Sequence, residues 1–430
     1  MLSPWHDEVT MPSFPTLQKD TRTQVLVIGG GIAGILTAYL LHRQGIPYIL
    51  AEKDKICSHT TGNTTAKLTF QHSLIFHKLI KSVGEHKAKM YYNANSDALA
   101  MYRKMCRDIE CDFEERTNFV YSPDNIRLLE KELEAAKKLG IDMGFTESVT
   151  LPISTVGAVY CKNQAQFHPL KFLSAIGKDL NIYENTFIRK VEGNTAYTNK
   201  CKIVADNIIF ATHFPFIDRH GMFFMKMYQS RSYVIALDKA PDIGGMYIDE
   251  SDKGLSFRNY GDLLFIGGSS HRTGKKSSAY EPLRIFANEH YPTLTERYHW
   301  AAQDCMSLDS MPYIGKYSSK TANWYVATGF NKWGMTGAMV SAMLLRDMVC
   351  DVDNSYAEVF LPQRSMIRPQ LFLNGIETAV NFITPTPKRC SHLGCALKYN
   401  RHEHSWDCPC HGSRFSEDGR VLENPSVRDN

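Results

Sequence analysis

The stretch Thr23 to Asp54 constrains this chain more than any other. Val25 to Ile28 is a short apolar run of the kind that suits a parallel strand covered on both faces. It leads straight into Gly29-Gly30-Gly31-Ile32-Ala33-Gly34, a G-x-G-x-x-G pattern. Ile32, Ile35, Leu36, Tyr39 and Leu40 then recur at helical spacing, Pro47 to Ala51 reads as a second strand, and Glu52 stands at its end. Gly29 permits a tight turn, Gly31 lets a pyrophosphate approach the backbone, and Gly34 lets the helix pack on the strand. The helix start offers free N–H groups to phosphates, and Glu52 stands where an acid accepts ribose hydroxyls. A bare glycine pattern also occurs in ordinary turns. Strand, helix, second strand and terminal acid together point to a bound dinucleotide, without separating NAD from FAD.

At 430 residues the chain has room for two or three domains. The formal net charge is only +4, and no basic run is interleaved with aromatics, so nucleic acid is not an expected partner. Residues 1–22 are polar and lack the basic start and apolar core of a signal peptide. No run of about 18 apolar residues suggests a membrane span, and the expected compartment is the cytoplasm. Seven of the 11 cysteines are scattered, which suits buried thiols. The other four fall within 21 residues near the C-terminus.

Between these ends the chain alternates in texture. Cys57 to Lys67 is small and polar, and Thr61, Thr64, Thr65 and Lys67 suit either a second phosphate contact or a capped helix start. Residues 74–110 read as helical, Cys111 to Tyr121 as a strand, and Asn125 to Leu139 as a charged amphipathic helix. A helix over Leu170 to Leu180 precedes strand-like runs at Asn181 to Val191 and Lys202 to Phe210. The last of these ends in Ala211 and Thr212, small and polar residues at a carboxyl end, where ligands sit in open α/β sheets. From Met222 to Gly268 the pattern is that of a second sheet. Asp309 to Gly315 reads as a turn. A strand at Trp324 to Ala327 then runs through Gly329 and Gly334 into a helix over Ala338 to Val349.

Taken in order, these features resemble the FAD-dependent oxidoreductases of the D-amino-acid oxidase and glycine oxidase type, over roughly residues 24–375. The resemblance implies FAD, with the adenosine diphosphate half at Gly29, Gly31, Gly34 and Glu52. It places pyrophosphate and flavin near Thr61, Thr64, Thr65 and Lys67, the strand end Ala211-Thr212 beside them, and a helix start after Gly329 and Gly334 near the ring. It implies an α/β, Rossmann-like, discontinuous FAD-binding domain with a mixed-sheet substrate domain. On this basis residues 1–23 are an N-terminal tail and 24–380 the oxidoreductase. FAD-binding segments are expected at about 24–90, 150–220 and 310–380, and substrate segments at about 91–149 and 221–309. The implied substrate is a small amine or amino acid. Arg231, Tyr233, His271, Arg272 and Lys332 are the side chains available to bind a carboxylate, no catalytic acid or base is assigned, and flavin chemistry does not require one.

The C-terminus carries the sharpest motif. Cys390-Ser391-His392 and Cys408-Pro409-Cys410-His411 present C-x-H, then 15 residues, then C-x-x-H. Two thiolates and two imidazoles suit zinc by ligand type. One Cys and one His per loop, each loop followed by a small Gly turn, instead resembles a Rieske [2Fe–2S] centre. That resemblance implies Cys390 and Cys408 on one iron and His392 and His411 on the other, within a small C-terminal β module. It also implies a disulfide between Cys395 and Cys410, and it matches Ser413 to a hydroxyl that donates to a bridging sulfide. Phe415 stands where the highest-potential members carry Tyr, which implies a lower potential. The module is short: residues 381–389 read as a linker, and the strands that normally form a base under the cluster have no counterpart before the partial module at 390–430.

The combined expectation is an oxidoreductase that relays electrons between flavin and cluster, with an external one-electron carrier as partner. Two alternatives stay open at this point: a simple oxidase with a vestigial tail, and a non-catalytic flavin and iron–sulfur redox sensor.

Overall fold

The computed structural model describes residues 3–251 and 254–430, which form three sheets. The first runs in the order Tyr313–Ser318, Thr321–Thr328, Lys202–Phe210, Thr21–Ile28, Tyr48–Ala51, Ile182–Tyr183. All neighbours on this path pair parallel except Tyr313–Ser318, which is antiparallel at the edge. Its central strand is apolar on both sides for a reason. Val25 and Val27 pack against the helices Ile32–Arg43 and Gly334–Val349, while Leu26 and Ile28 join Phe210 and Tyr317 on the opposite face.

The glycine turn after that strand has no room for side chains. A Cβ on Gly34 would stand 1.9 Å from the Gly29 carbonyl oxygen, which is the close helix-to-strand approach the motif predicts. Gly29 has φ +112°, and a Cβ there would meet the Ala211 carbonyl oxygen at 2.5 Å. Gly34→Ala is therefore expected to cost about 3 kcal/mol or more through forced overpacking. Thermal unfolding together with FAD retention checks this.

The second sheet is mixed and has nine strands. Its main path is Thr295–Ser307, Met227–Asp238, Leu263–Arg272, Ser256–Tyr260, Met246–Asp249, Glu114–Ser122, Gly157–Gln166, Lys67–Leu68. Alternation along Met227–Asp238 sends Gln229, Arg231 and Tyr233 to one face and Ser230, Ser232 and Val234 to the other. The third sheet is a four-stranded antiparallel meander, Lys398–Asn400, Ser405–Asp407, Arg414–Ser416, Val421–Glu423.

Several local expectations differ from what is seen. The helical stretch 74–110 divides at Gly84, whose φ of +85° suits glycine, into Phe76–Val83 and Glu85–Met105. The strand expected from Cys111 begins at Glu114, and Asn181 to Val191 yields only the short strands Ile182–Tyr183 and Lys190–Glu192. The turn over Asp309 to Gly315 gives way at Tyr313 to an edge strand. The N-terminal stretch is packed rather than free: Trp5 is fully buried, edge-on to His168, Tyr260 and Phe265.

The expected linker also starts inside a helix, Pro369–Ile383, which Pro385 and Pro387 follow. This helix turns its polar side inward. Asn374 and Asn381 are buried, while Phe372, Leu373, Ile376 and Val380 are more than half exposed. Arg272 draws Asn374 inward, donating to its Oδ1 at 2.8 Å.

Candidate functional site

Three neighbouring parallel strands end side by side. Thr21–Ile28 runs into Gly29, Lys202–Phe210 into Ala211 and Thr212, and Thr321–Thr328 into Gly329. The Ala211 N–H donates to the Ile28 carbonyl at 2.9 Å, and the Thr328 hydroxyl donates to the His213 carbonyl, which holds the three ends together. A cleft at this edge is lined by Gly29, Gly31, Glu52, Thr61, Ala211 and Thr212. The helix Ile32–Arg43 starts at Gly31 without a side-chain cap, although Thr61 Oγ1 accepts from the Ile32 N–H at 3.0 Å. Glu52 is buried and accepts from the N–H groups of Gly30 at 2.6 Å and Asp54 at 2.9 Å, which fixes its carboxylate against the glycine turn. These groups suit a dinucleotide: bare backbone at a helix start, glycines where a Cβ cannot fit, and an oriented acid.

The other expected residues do not line that cleft. Thr64 and Thr65 give their carbonyls to Trp5 Nε1 and Arg258. Lys67 is turned away, its buried ammonium donating to the Tyr247 carbonyl at 3.2 Å. Burial, aided by Arg258, pushes its pKa down to about 7. Gly329 takes φ +72°, and Gly334 opens the helix Gly334–Val349.

The two C-terminal loops are copies of one turn. The Cys390 N–H donates to the Cys395 carbonyl, and the Gly394 N–H to the Cys390 carbonyl, both at 2.8 Å. Likewise the Cys408 N–H donates to the Ser413 carbonyl, and the Gly412 N–H to the Cys408 carbonyl, both at 2.9 Å. Gly394 and Gly412 have φ +80° and +81°, the left-handed conformation that closes each turn. The turns bring the His392 and His411 rings to a centroid separation of 5.0 Å, nearly perpendicular.

Nδ1 of both histidines is buried and has no hydrogen-bond partner. A polar atom left so costs about 1–3 kcal/mol unless a ligand takes it up. Burial lowers His411 to about pH 4, so its imidazole is neutral at neutral pH, the form that ligates metal. His392 Nε2 is held by Asp218, 2.9 Å from its carboxylate. The sulfur atoms of Cys395, Cys408 and Cys410 lie within 4.8 Å of one another. Hydrogen bonds from Cys390 first, then Cys395 and Cys410, hold the Cys408 thiol well below its usual range. Cys395 and Cys410 are free thiols.

The surface under the loops is the second sheet. Gln229 Nε2 donates to the His411 carbonyl at 2.8 Å, and Gln303 Nε2 to the Gly412 carbonyl at 2.9 Å. Arg272 donates to the carbonyls of Pro409 at 2.7 Å and Cys410 at 2.9 Å. A Cβ on Gly412 would strike Gln229, and one on Gly274 would strike Pro409. Charges complete the seam: Arg231, 4% exposed, pairs with Glu403 and, at 3.3 Å, with Glu423. Arg414 meets Asp407 and Glu423, both at 3.0 Å. The missing base strands are thus replaced by another part of the same chain.

Residues 24–348 match the family model described as FAD dependent oxidoreductase, and residues 381–429 match that of the Rieske [2Fe-2S] domain. The chain belongs to the FAD-dependent oxidoreductase family. A curated relative, the putative Rieske 2Fe-2S iron-sulfur protein YhfW of Bacillus subtilis (strain 168), is 34% identical over 489 aligned positions. That alignment spans 99% of this chain and 96% of the relative. The C-terminus alone is 46% identical over 37 residues to the chloroplastic cytochrome b6-f complex iron-sulfur subunit of Pisum sativum, covering 9% of this chain and 16% of that protein. Among solved structures, L-proline dehydrogenase from P. horikoshii superposes with a TM-score of 0.68 at 16% identity, over 80% of this chain and 98% of that one. Glycine oxidase from Geobacillus kaustophilus gives 0.67 at 16%, over 80% and 99%. This oxidoreductase therefore takes FAD and a [2Fe–2S] cluster as its cofactors. No described helix is long and apolar enough to cross a membrane.

In this FAD-dependent oxidoreductase most of the expected carboxylate binders are committed elsewhere. Arg231 and Arg272 serve the cluster module, and the Tyr233 hydroxyl meets His271 Nε2 at 3.2 Å. Lys332 remains, donating to Ser270 Oγ at 2.8 Å, with Ser232 Oγ 3.0 Å beyond. Asp304, which the sequence did not single out, belongs to the same polar group. Burial pushes its carboxyl up to about 6 against the pull of Lys332 and Arg231. Trp300, two alternations earlier on that strand, donates to the Asn63 carbonyl at 2.9 Å, so this face of the sheet looks toward the 60–67 loop.

Proposed function

We propose that this oxidoreductase oxidises an amine or amino acid at FAD and relays the electrons between flavin and the Rieske cluster, with an external one-electron carrier as partner. Gly29, Gly31, Gly34, Glu52, Thr61, Ala211 and Thr212 hold the nucleotide end of FAD in this reading, and the 60–67 loop with Gly329 and Gly334 lies toward its ring. Cys390 and Cys408 hold one iron, His392 and His411 the other. FAD supplies a two-electron acceptor and the cluster a one-electron centre.

One observation supports the relay above the rest. A single strand, Thr295–Ser307, touches both cofactor loops. The Gln303 carbonyl accepts from Thr60 Oγ1 at 3.2 Å, and the Gln303 side chain donates to Gly412 of the cluster loop. Lys332 and Asp304 supply the two charges that complement a zwitterion: the ammonium for a carboxylate, the carboxylate for an amine.

An anaerobic panel of amines, amino acids, 2-hydroxy acids and polyol phosphates, read by bleaching of the flavin band, tests the substrate class. Amines or amino acids are expected to bleach it, and Asp304→Asn to raise KM more than it lowers kcat. Bleaching by the nitrogen-free compounds alone contradicts the reading. The same proposal has the Cys395 and Cys410 thiols, free in this structure, close as a disulfide in the oxidised protein. Finding both thiols alkylated in the folded holoprotein by mass spectrometry counts against it.

A further inference from the structure

We infer that the last strand of the cluster module and the residues after it, 421–427, are the outer wall of the dinucleotide cleft, so that the module itself retains the adenosine diphosphate half of FAD. The inference rests on the FAD reading above and adds residues that the glycine motif does not contain. On the inner side the cleft is lined by Gly29, Gly31 and Glu52, and on the outer side by Leu422, Asn424 and Val427.

The wall is fastened at three points around the rim. Asn424 Nδ2 donates to the carbonyls of Thr212 at 2.6 Å and Phe214 at 2.5 Å, directly after the strand Lys202–Phe210. Lys53 Nζ, one residue beyond Glu52, donates to the Leu422 carbonyl at 2.9 Å. Arg189 donates to the Val427 carbonyl at 2.5 Å. The same segment is tied back to the cluster loop: the Ser426 N–H donates to Ser413 Oγ at 3.0 Å. Gln229, which bonds the His411 carbonyl, also donates to the Asn424 carbonyl at 2.9 Å.

The chemistry of the wall suits a nucleotide. Leu422 and Val427 give apolar surface for an adenine ring, and Arg231 and Arg414 both hold Glu423 Oε1. A dinucleotide seated behind three such fastenings leaves only when they open. Occupancy of the cleft and docking of the module are therefore linked, and the linkage is reciprocal.

The test uses full-length holoprotein. FAD release is followed by recovery of flavin fluorescence on dilution, for wild type and Asn424→Ala, with the EPR signal of the reduced cluster recorded on both. In parallel, amide hydrogen exchange over 421–427 is measured on FAD-stripped wild type with and without ADP. The wall predicts FAD release at least about tenfold faster in Asn424→Ala with the cluster signal retained, and slower exchange over 421–427 when ADP is added. FAD release unchanged within about twofold, with exchange over 421–427 indifferent to ADP, overturns the wall and leaves the FAD reading standing. If Asn424→Ala does not fold, the exchange measurement on wild type decides alone. Wild type that takes up neither FAD nor ADP overturns both.

Discussion

Cys408→Ser is expected to abolish the EPR signal of the reduced cluster while leaving the flavin band in place. The serine hydroxyl stays protonated at neutral pH and cannot replace a thiolate. Cys408 is fully buried, and the neighbouring thiols, Cys390 first, hold its own well below the usual range. Loss of an outer-shell partner alone costs a metal site about 10–100-fold, and loss of a ligand costs at least as much. Transfer to an external one-electron acceptor should then fall by about two orders of magnitude, while anaerobic bleaching of the flavin by substrate persists. Substrate oxidation coupled to peroxide formation at the wild-type rate in Cys408→Ser would favour a simple oxidase with an idle tail.

Arg231→Ala is the second large effect. The guanidinium is buried between Glu403 and Glu423, and its removal leaves two partly buried carboxylates with Arg414 as their remaining nearby cation. Breaking a buried pair in this way costs about 3–5 kcal/mol. Faster proteolysis of the C-terminal module and a lowered unfolding midpoint are the readouts. Glu423→Gln in the same chain should recover part of the loss, because it removes one stranded charge.

The same network predicts a pH dependence. Burial by itself raises the Glu423 carboxyl, but Arg414 and then Arg231 outweigh it and hold the group at about 2. Its folded pKa lies below the unfolded value of about 4.3. The stabilisation is complete above that value and is lost as pH falls from there toward 2. Unfolding monitored between pH 5 and 2.5 should show the docked module weakening across this window, and Glu423→Gln should flatten the slope.

How much of this was legible depends on how local each signal is. Gly29, Gly31, Gly34 and Glu52 lie within one strand–helix–strand unit, and the glycine contacts there follow from the motif. The cluster loops carry their own turns, and the resemblance they support implies His392 beside His411, whose rings stand 5.0 Å apart. Sequence leaves Arg231 and Arg272 open between carboxylate binding and a surface role, because strand alternation separates two faces without saying what covers each; the cluster module, more than 130 positions further on, decides it. Lys67 reads as a loop lysine facing phosphate, yet it is drawn into the second sheet by the Tyr247 carbonyl. The strand Thr295–Ser307 lacks a clean period of two, since one end is exposed and the other is wedged between the two cofactor loops. Asn424 looks like an ordinary turn residue until the tail is seen to fold back over the glycine motif.

Electron exchange between flavin and iron pair within one polypeptide is the central proposal to test. Purified protein should be titrated anaerobically with an amine or amino acid that bleaches its flavin, with absorbance and low-temperature EPR recorded at each addition. Bleaching of the flavin accompanied by the rising signal of a reduced [2Fe–2S] cluster is the predicted result. A flavin that turns over while the cluster stays oxidised and EPR-silent throughout would contradict it.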